Sequence, residues 1–131
     1  ILAGDGARVI PLKVSAPFHC ELMRPAAERL EAFLADVEIE PLEVPLISNV
    51  EAAPNTEPQR ARELLVRQVT STVRWTDSVR AMLDAGVTRF VELGPGTVLA
   101  GLIKKIDRTA EVISTGDPAG VERAAAALAE A

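Results

Sequence analysis

The chain has 131 residues, of which 48% are hydrophobic, 25% charged and 3% aromatic, a composition typical of one globular domain and not of a disordered segment. A net charge of −5 argues against a nucleic-acid partner, and no apolar run approaches the roughly 18 residues that span a membrane. One cysteine and one histidine exclude an intrachain disulfide and a tetrahedral zinc site, so a reducing, cytoplasmic setting fits best. Because the first residue is Ile1 and not Met, we expect a piece of a longer protein.

In chain order, the first half predicts a strand, a helix, a second strand and a second helix. Residues 8–15 alternate well enough for a strand, although Pro11 restricts it to a sheet edge or an irregular end. Apolar residues recur at helical spacing over 25–37, after a proline that suits a first helical turn. The apolar run 44–50 predicts a short buried strand, 52–56 a loop, and 58–69 a further helix.

The second half continues this alternation of strands and helices. Its turn Gly94-Pro95-Gly96 lacks the lysine of a phosphate loop, so an ordinary strand-to-helix turn is favoured. The alternation predicts an α/β protein with a parallel or mixed sheet in one domain. The predicted elements are a helix over 75–85, a strand over 89–93, a helix over 98–106 with Val98, Leu99, Leu102, Ile103 and Ile106 as its inner face, a strand over 111–114, and a closing helix over 118–129.

His19 carries the only imidazole, and it lies in a loop between a predicted strand and a predicted helix. Loops of this kind often hold catalytic groups, but composition alone favours a surface or packing histidine. The neighbouring Cys20 is poorly placed for a thiol–imidazole bond, because adjacent helical residues point apart, and we interpret it as a small buried hydrophobe.

Gln68 is a polar residue on an otherwise apolar helical stripe, in the last turn of its helix. Carbonyl groups at a helix end have no intrahelical partner, so the Gln68 carbonyl is able to accept the Nδ1 hydrogen of a histidine. The alternative is an amide satisfied by the local backbone, which the residues alone favour. No serine of the chain stands in a Gly-x-Ser-x-Gly turn, so a serine nucleophile would have to come from elsewhere.

Four segments in this order resemble the C-terminal part of malonyl-CoA:acyl carrier protein transacylase, the acyltransferase of fatty-acid synthesis. The resemblance covers nearly the whole chain. The segments are Ile-Pro-Leu-Lys-Val-Ser-Ala-Pro-Phe-His-Cys-Glu-Leu-Met over 10–23, Val-Pro-Leu-Ile-Ser-Asn-Val over 44–50, Leu-Val-Arg-Gln followed by Val-Arg-Trp within 65–75, and Glu-Leu-Gly-Pro-Gly-Thr-Val-Leu over 92–99.

The resemblance implies a fold and a domain position. It implies the last strand of a ferredoxin-like small subdomain at about 1–15, followed at about 16–131 by the C-terminal half of an α/β-hydrolase-like large subdomain. It places the serine nucleophile, the oxyanion-hole glutamine and the malonyl-binding arginine of the family before Ile1. The segment alone is then expected to be inactive, with the N-terminal remainder of the acyltransferase domain as its first partner.

The resemblance also implies roles for individual residues. His19 falls on the family's catalytic base, and Gln68 on the residue whose main-chain carbonyl orients that base. Phe18 falls on a substrate-binding position, where phenylalanine tends to accompany malonyl substrates. The substrates are malonyl-CoA and an acyl carrier protein that brings its own phosphopantetheine, with no further cofactor or metal. The residues that resemble the family's carrier-docking positions are Lys104, Lys105 and Arg8.

Two other functions stay open at this stage. One is an acyltransferase domain of a modular polyketide synthase, which performs the same chemistry within a longer chain. The Ala-rich closing helix, with no linker after it, favours a free-standing enzyme over that alternative. The other is a non-catalytic α/β interaction domain in which His19 has no chemical role.

Overall fold

A computed structural model describes residues 15–129 of the chain. The strand predicted over 8–15, together with Arg8, lies outside these residues except for Ser15. The described elements are a 3-10 turn at Glu21–Met23, α1 (Arg24–Ala35), β1 (Leu46–Ile47), β2 (Pro54–Asn55), α2 (Pro58–Thr70), α3 (Trp75–Asp84), β3 (Arg89–Glu92), α4 (Val98–Ile106), β4 (Glu111–Ser114) and α5 (Pro118–Ala129).

The α/β class predicted from the sequence is confirmed by the second half of the chain. Strands β3 and β4 pair in parallel, from Arg89 opposite Glu111 to Glu92 opposite Ser114. Helix α4 connects them, which is the arrangement that a parallel pair requires. Helix α5 then packs against β4, and Gly120 lies so close to the Ser114 carbonyl that a side chain there would collide with it.

The strand predicted over 44–50 is wrong in length, because β1 holds only Leu46 and Ile47 and pairs antiparallel with β2, within the predicted loop. Directly after β1, the Ser48 carbonyl accepts a hydrogen bond from the Ala52 amide at 3.0 Å. The Ser48 hydroxyl accepts one from the Glu51 amide at 3.2 Å. Serine side chains compete in this way with strand pairing, so the chain turns where the pattern alone predicts extension.

The hydrophobic core lies between α3, α4 and the parallel strands. Its partly buried members include Trp75, Met82 and Leu83, three residues of α3 at helical spacing. The inner face predicted for α4 is only partly right, since Ile103 is buried whereas Val98 is 72% exposed. Helix α4 packs on α3 and β4, and it contributes Ile103 and Ile106 to the core cluster. The buried members of the cluster are Val79, Phe90, Ile103 and Ala110.

Helix α1 packs lengthwise on α2, and the 3-10 turn before α1 also contacts α2. Ala27 and Leu34 of α1, and Ala61 and Leu64 of α2, are buried. Because of this packing, the loop that contains His19 lies next to the last turn of α2. In the part of the chain that the structure describes, no helix is both long and apolar enough to cross a membrane.

Candidate functional site

The loop before α1 holds His19 in a backbone conformation that L-residues seldom adopt. Its φ is +58°, in the left-handed region that favours glycine. Such a residue costs on the order of 1–3 kcal/mol and persists only where the surroundings fix it. The loop is closed on both sides of it, by a 2.9 Å bond from the Phe18 amide to the Ala16 carbonyl and a 3.0 Å contact from the Cys20 thiol to the Pro17 carbonyl. Backbone strain of this kind is frequent at functional sites, which makes this loop a candidate site.

The His19 ring contacts the end of α2, 49 residues further along the chain. Its Nδ1 lies 2.9 Å from the main-chain oxygen of Gln68. A carbonyl oxygen can only accept, so Nδ1 carries the hydrogen and donates it. In the neutral ring Nε2 is then left without a hydrogen and is free to take up a proton. The Gln68 carbonyl lies in the last turn of α2, where carbonyl groups have no partner within the helix and are available to accept a hydrogen bond from elsewhere.

Cys20 takes no part in this contact. Its thiol donates to the Pro17 carbonyl and the residue is only half-buried, so the interpretation of Cys20 as a small buried hydrophobe is right only in part. Phe18, on the other side of His19, is 55% exposed. A cleft of about 210 Å³ runs beside the Gln68 end of the site, and Ser48 and Asn49 are among its polar lining residues. Among residues 15–129, no group of three or more histidine, cysteine or acidic side chains is placed to hold a metal ion.

The glycine turn after β3 leads into α4. The first amides of α4, which could bind an anion, already donate to the carboxylate of Glu92. One Glu92 carboxylate oxygen accepts from the Leu99 amide at 2.9 Å, and the other accepts from the Ala100 amide at 3.1 Å and the Ser114 hydroxyl at 3.0 Å. This carboxylate occupies the place that a phosphate would take at a helix N-terminus. The turn is therefore structural, as the missing lysine indicates, and Glu92 is the residue that the sequence pattern did not single out.

Burial works to raise the pKa of the Glu92 carboxyl, but the hydrogen bonds from Leu99, Ala100 and Ser114 outweigh it and hold that pKa below its ordinary value. A carboxyl whose pKa is lower in the folded state stabilises the fold above the unfolded-state pKa, about 4.3 for glutamate, and loses that contribution as the pH falls through the folded pKa.

We therefore expect Glu92→Gln to lower the melting temperature of the chain at neutral pH and to have less effect in acid. The difference from the wild type should shrink as the pH drops below about 4.3. Thermal melts followed by circular dichroism between about pH 6 and pH 3 measure this. Glu122→Gln, an exposed carboxyl on α5, is the control and should leave the melting curve unchanged. A Glu92→Gln deficit that stays constant across this range would contradict the assignment.

Lys104 and Lys105 lie in the last turn of α4, at the opposite end of this helix from Glu92. Both are exposed, and the Lys104 ammonium donates to the Arg108 carbonyl at 3.4 Å. Lys104 therefore has a partner just after the end of its own helix, which gives this lysine a local structural role. Arg8, the third carrier-docking candidate, lies outside the described residues.

Comparison with known proteins gives the chain its relatives. Over 94% of its length it is 46% identical to the malonyl CoA-acyl carrier protein transacylase of Bacillus subtilis. The chain is homologous to the malonyl-CoA:acyl carrier protein transacylases. It spans 39% of that relative, so it corresponds to only a C-terminal part of such a protein. No protein-family model matches it.

Solved transacylase structures have the same fold. The acyl-carrier-protein-S-malonyltransferase of Bartonella henselae superposes with a TM-score of 0.89 at 38% identity, over 97% of this chain and 41% of that one. A malonyl-transacylase solved in complex with its type II polyketide acyl-carrier protein gives 0.86 at 38% identity, over 93% and 40%. The chain therefore resembles these structures both in its fold and in its sequence.

Proposed function

We propose that this chain is the base-bearing part of an enzyme that transfers a malonyl group from malonyl-CoA to the phosphopantetheine thiol of an acyl carrier protein. The observation that carries the proposal is the 2.9 Å contact between His19 Nδ1 and the Gln68 carbonyl, in a chain homologous to such transacylases. His19 is the general base, and the carbonyl does the work that a carboxylate does in a Ser-His-Asp triad.

The transfer takes place in two half-reactions, acylation of the serine and transfer of the acyl group to the carrier. In the first, His19 Nε2 accepts the hydroxyl proton of a serine while the serine oxygen bonds to the thioester carbon. The carbon–sulfur bond then breaks, and the imidazolium returns the proton to the leaving CoA sulfur. In the second half, the carrier's thiol gives its proton to His19, its sulfur bonds to the acyl carbon, and serine leaves with the proton. The Gln68 carbonyl stabilises the imidazolium formed in each half.

The serine of this mechanism lies outside residues 15–129, because the serines there have structural partners or no suitable turn. The Ser78 hydroxyl donates to the Arg74 carbonyl at 2.9 Å, and the Ser114 hydroxyl donates to the Glu92 carboxylate. Ser48 is buried and holds the turn after β1. We infer that an N-terminal portion of the acyltransferase domain supplies the nucleophile, with residues 16–131 forming part of its large subdomain and residues 1–15 ending its small one.

The two alternatives are less well supported. A non-catalytic interaction domain has no use for a histidine held at φ +58° and bonded to a helix-end carbonyl. A modular polyketide synthase domain has the same chemistry, but the relatives named above are transacylases and do not favour it.

A chimera tests the proposal. Residues 15–129 replace the matching C-terminal segment of the Bacillus subtilis relative, which keeps its own nucleophile. We expect the chimera to transfer radiolabelled malonyl groups from malonyl-CoA to acyl carrier protein, and the 131-residue chain alone to form no acyl-enzyme. A chimera that folds, yet forms neither acyl-enzyme nor malonyl-carrier, would overturn the proposed function.

Carrier docking gives a further prediction within this proposal. In this family the carrier is a small acidic protein, so a local basic patch on a chain of net charge −5 is where it would dock. Reversal of both Lys104 and Lys105 to glutamate in the chimera should raise the KM for carrier several-fold and leave the KM for malonyl-CoA unchanged.

The control for this pair is Arg29→Glu, which reverses one exposed cation on α1. It should leave both KM values unchanged. Equal effects of the double reversal on the two substrates, or no effect on either, would remove Lys104 and Lys105 from the docking surface.

A further inference from the structure

The turn that follows β1 is closed by hydrogen bonds within the turn itself. Ser48, which is buried, accepts one hydrogen bond through its hydroxyl and one through its carbonyl, from the amides of Glu51 and Ala52 respectively. Ala52 has a φ of +54°, the second left-handed non-glycine residue among those described. Two hydrogen bonds and one strained residue fix this turn. The side chain and the carbonyl of Glu51 are therefore each held in one defined position.

From this turn, the Glu51 side chain reaches along α2, from Arg60 in the first turn of the helix to Arg67 in its last turn. Its carboxylate accepts from the Arg67 guanidinium at 2.8 Å and forms a second ion pair with Arg60. The carboxylate is only 29% exposed, so these pairs are less weakened by solvent than a fully exposed pair. The hydrogen bond from Arg67 outweighs burial, and together with that from Arg60 it holds the pKa of Glu51 below its ordinary value.

The backbone of the same turn reaches the start of α3. The Glu51 carbonyl accepts from the Arg74 guanidinium at 3.1 Å, and the Asn49 carbonyl accepts from the Arg74 amide at 2.7 Å. The turn therefore holds the segment 67–74 at both of its ends, at Arg67 in α2 and at Arg74 immediately before α3.

Gln68 is the second residue of that clamped segment, next to Arg67. Its carbonyl is the one that receives His19 Nδ1. A displacement of the segment lengthens this hydrogen bond and frees the ring to exchange its hydrogen between Nδ1 and Nε2. We propose that Glu51 is a positioning residue for His19, because its contacts with Arg67 and Arg74 fix the segment that presents the Gln68 carbonyl. The proposal rests on the proposed function only in taking His19 as the base.

The chain has one histidine, so its imidazole nitrogens can be observed by NMR without overlap. At alkaline pH, where an imidazole is neutral, ¹⁵N shifts and couplings tell which nitrogen carries the hydrogen. In the tag-free 131-residue chain we expect Nδ1 to carry it. Glu51→Gln should reduce the Nδ1-protonated fraction and mix in the Nε2 form, while far-UV circular dichroism shows an intact fold.

Glu63→Gln is the matched control. Glu63 pairs with Arg60 on the same helix, at 2.5 Å, but among the described residues it has no hydrogen bond or ion pair with Arg67 or Arg74. Glu63→Gln should keep the wild-type imidazole spectrum even if it lowers the melting temperature as much as Glu51→Gln does. If Glu51→Gln fails to fold, Arg67→Gln removes the same contact from a side chain that is 48% exposed, and should give the mixed spectrum.

A folded Glu51→Gln or Arg67→Gln chain with the wild-type imidazole spectrum would overturn the proposal, as would an equal change in Glu63→Gln. In the transferring chimera, Glu51→Gln should lower kcat by up to about 10²-fold without raising the KM for malonyl-CoA, since a base displaced by about 1 Å loses rate and not substrate binding. The NMR result needs no turnover. Failure of the positioning role and failure of the transferase function are therefore separate outcomes.

Discussion

Replacement of His19 by alanine is expected to lower the rate of acyl-serine formation in the transferring chimera by at least about 10²-fold, and by up to about 10⁴-fold. The substitution removes the Nε2 atom that takes the serine proton, and a serine hydroxyl without a base is a weak nucleophile. Because the loss is in proton transfer, kcat should fall while the KM for malonyl-CoA changes little. Rapid-quench measurement of the radiolabelled acyl-enzyme reports this step directly.

Cys20→Ala is the control for His19→Ala. It changes the next residue of the same loop and removes the thiol contact with Pro17, but it leaves the imidazole and its Gln68 contact in place. Its rate should stay within a factor of about three of the wild type, since the change is a small one away from the reacting atoms. Wild-type rates in His19→Ala, or equal losses in both variants, would contradict the role of His19 as base.

The helices were predictable from local sequence because their signals are local. Pro58 opens α2 at its first turn, and Gly86, at φ +89°, follows the end of α3. Spacing of the apolar residues predicts the bounds of both helices to within one or two residues. The parallel pair of strands was predictable for a related reason, since β3, α4 and β4 follow one another in the chain and each is delimited by polar or glycine residues.

The acid–base contacts were not predictable in this way, because each joins residues far apart in the chain. Glu92 reaches α4 and β4 at once, and Glu51 reaches Arg67 sixteen positions further along. Nothing in the spacing of either glutamate separates it from a solvent-exposed one. The same holds for His19 and Gln68. From the sequence alone, His19 is favoured as a surface or packing histidine and Gln68 as an amide satisfied by its local backbone, and nothing links the two. Only the resemblance to the acyltransferases predicts the pair, and their 2.9 Å contact supports the proposed mechanism without testing it.

Phe18 is the residue on which acyl selectivity is expected to depend. Its side chain is 55% exposed, and the core cluster of the described residues does not include it. It directly precedes His19, in a loop closed by its own amide, so the position of its ring is tied to that of the base. We infer that the ring walls off the space beside the α-carbon of the bound acyl group. The alternative is that Phe18 only packs in the complete enzyme.

Phe18→Ser in the transferring chimera should lower the ratio of kcat/KM for malonyl-CoA to that for methylmalonyl-CoA by several-fold, mostly through a gain for methylmalonyl. One methyl group in an apolar pocket is worth about 1–3 kcal/mol, which limits the selectivity of such a wall to roughly 10- to 200-fold. Phe33→Ser, which changes a phenylalanine that is 70% exposed on α1, is the matched control and should leave the ratio unchanged. An unchanged ratio in Phe18→Ser together with a lower melting temperature would assign Phe18 to packing, because a wall beside the acyl group must alter the ratio whatever its effect on stability.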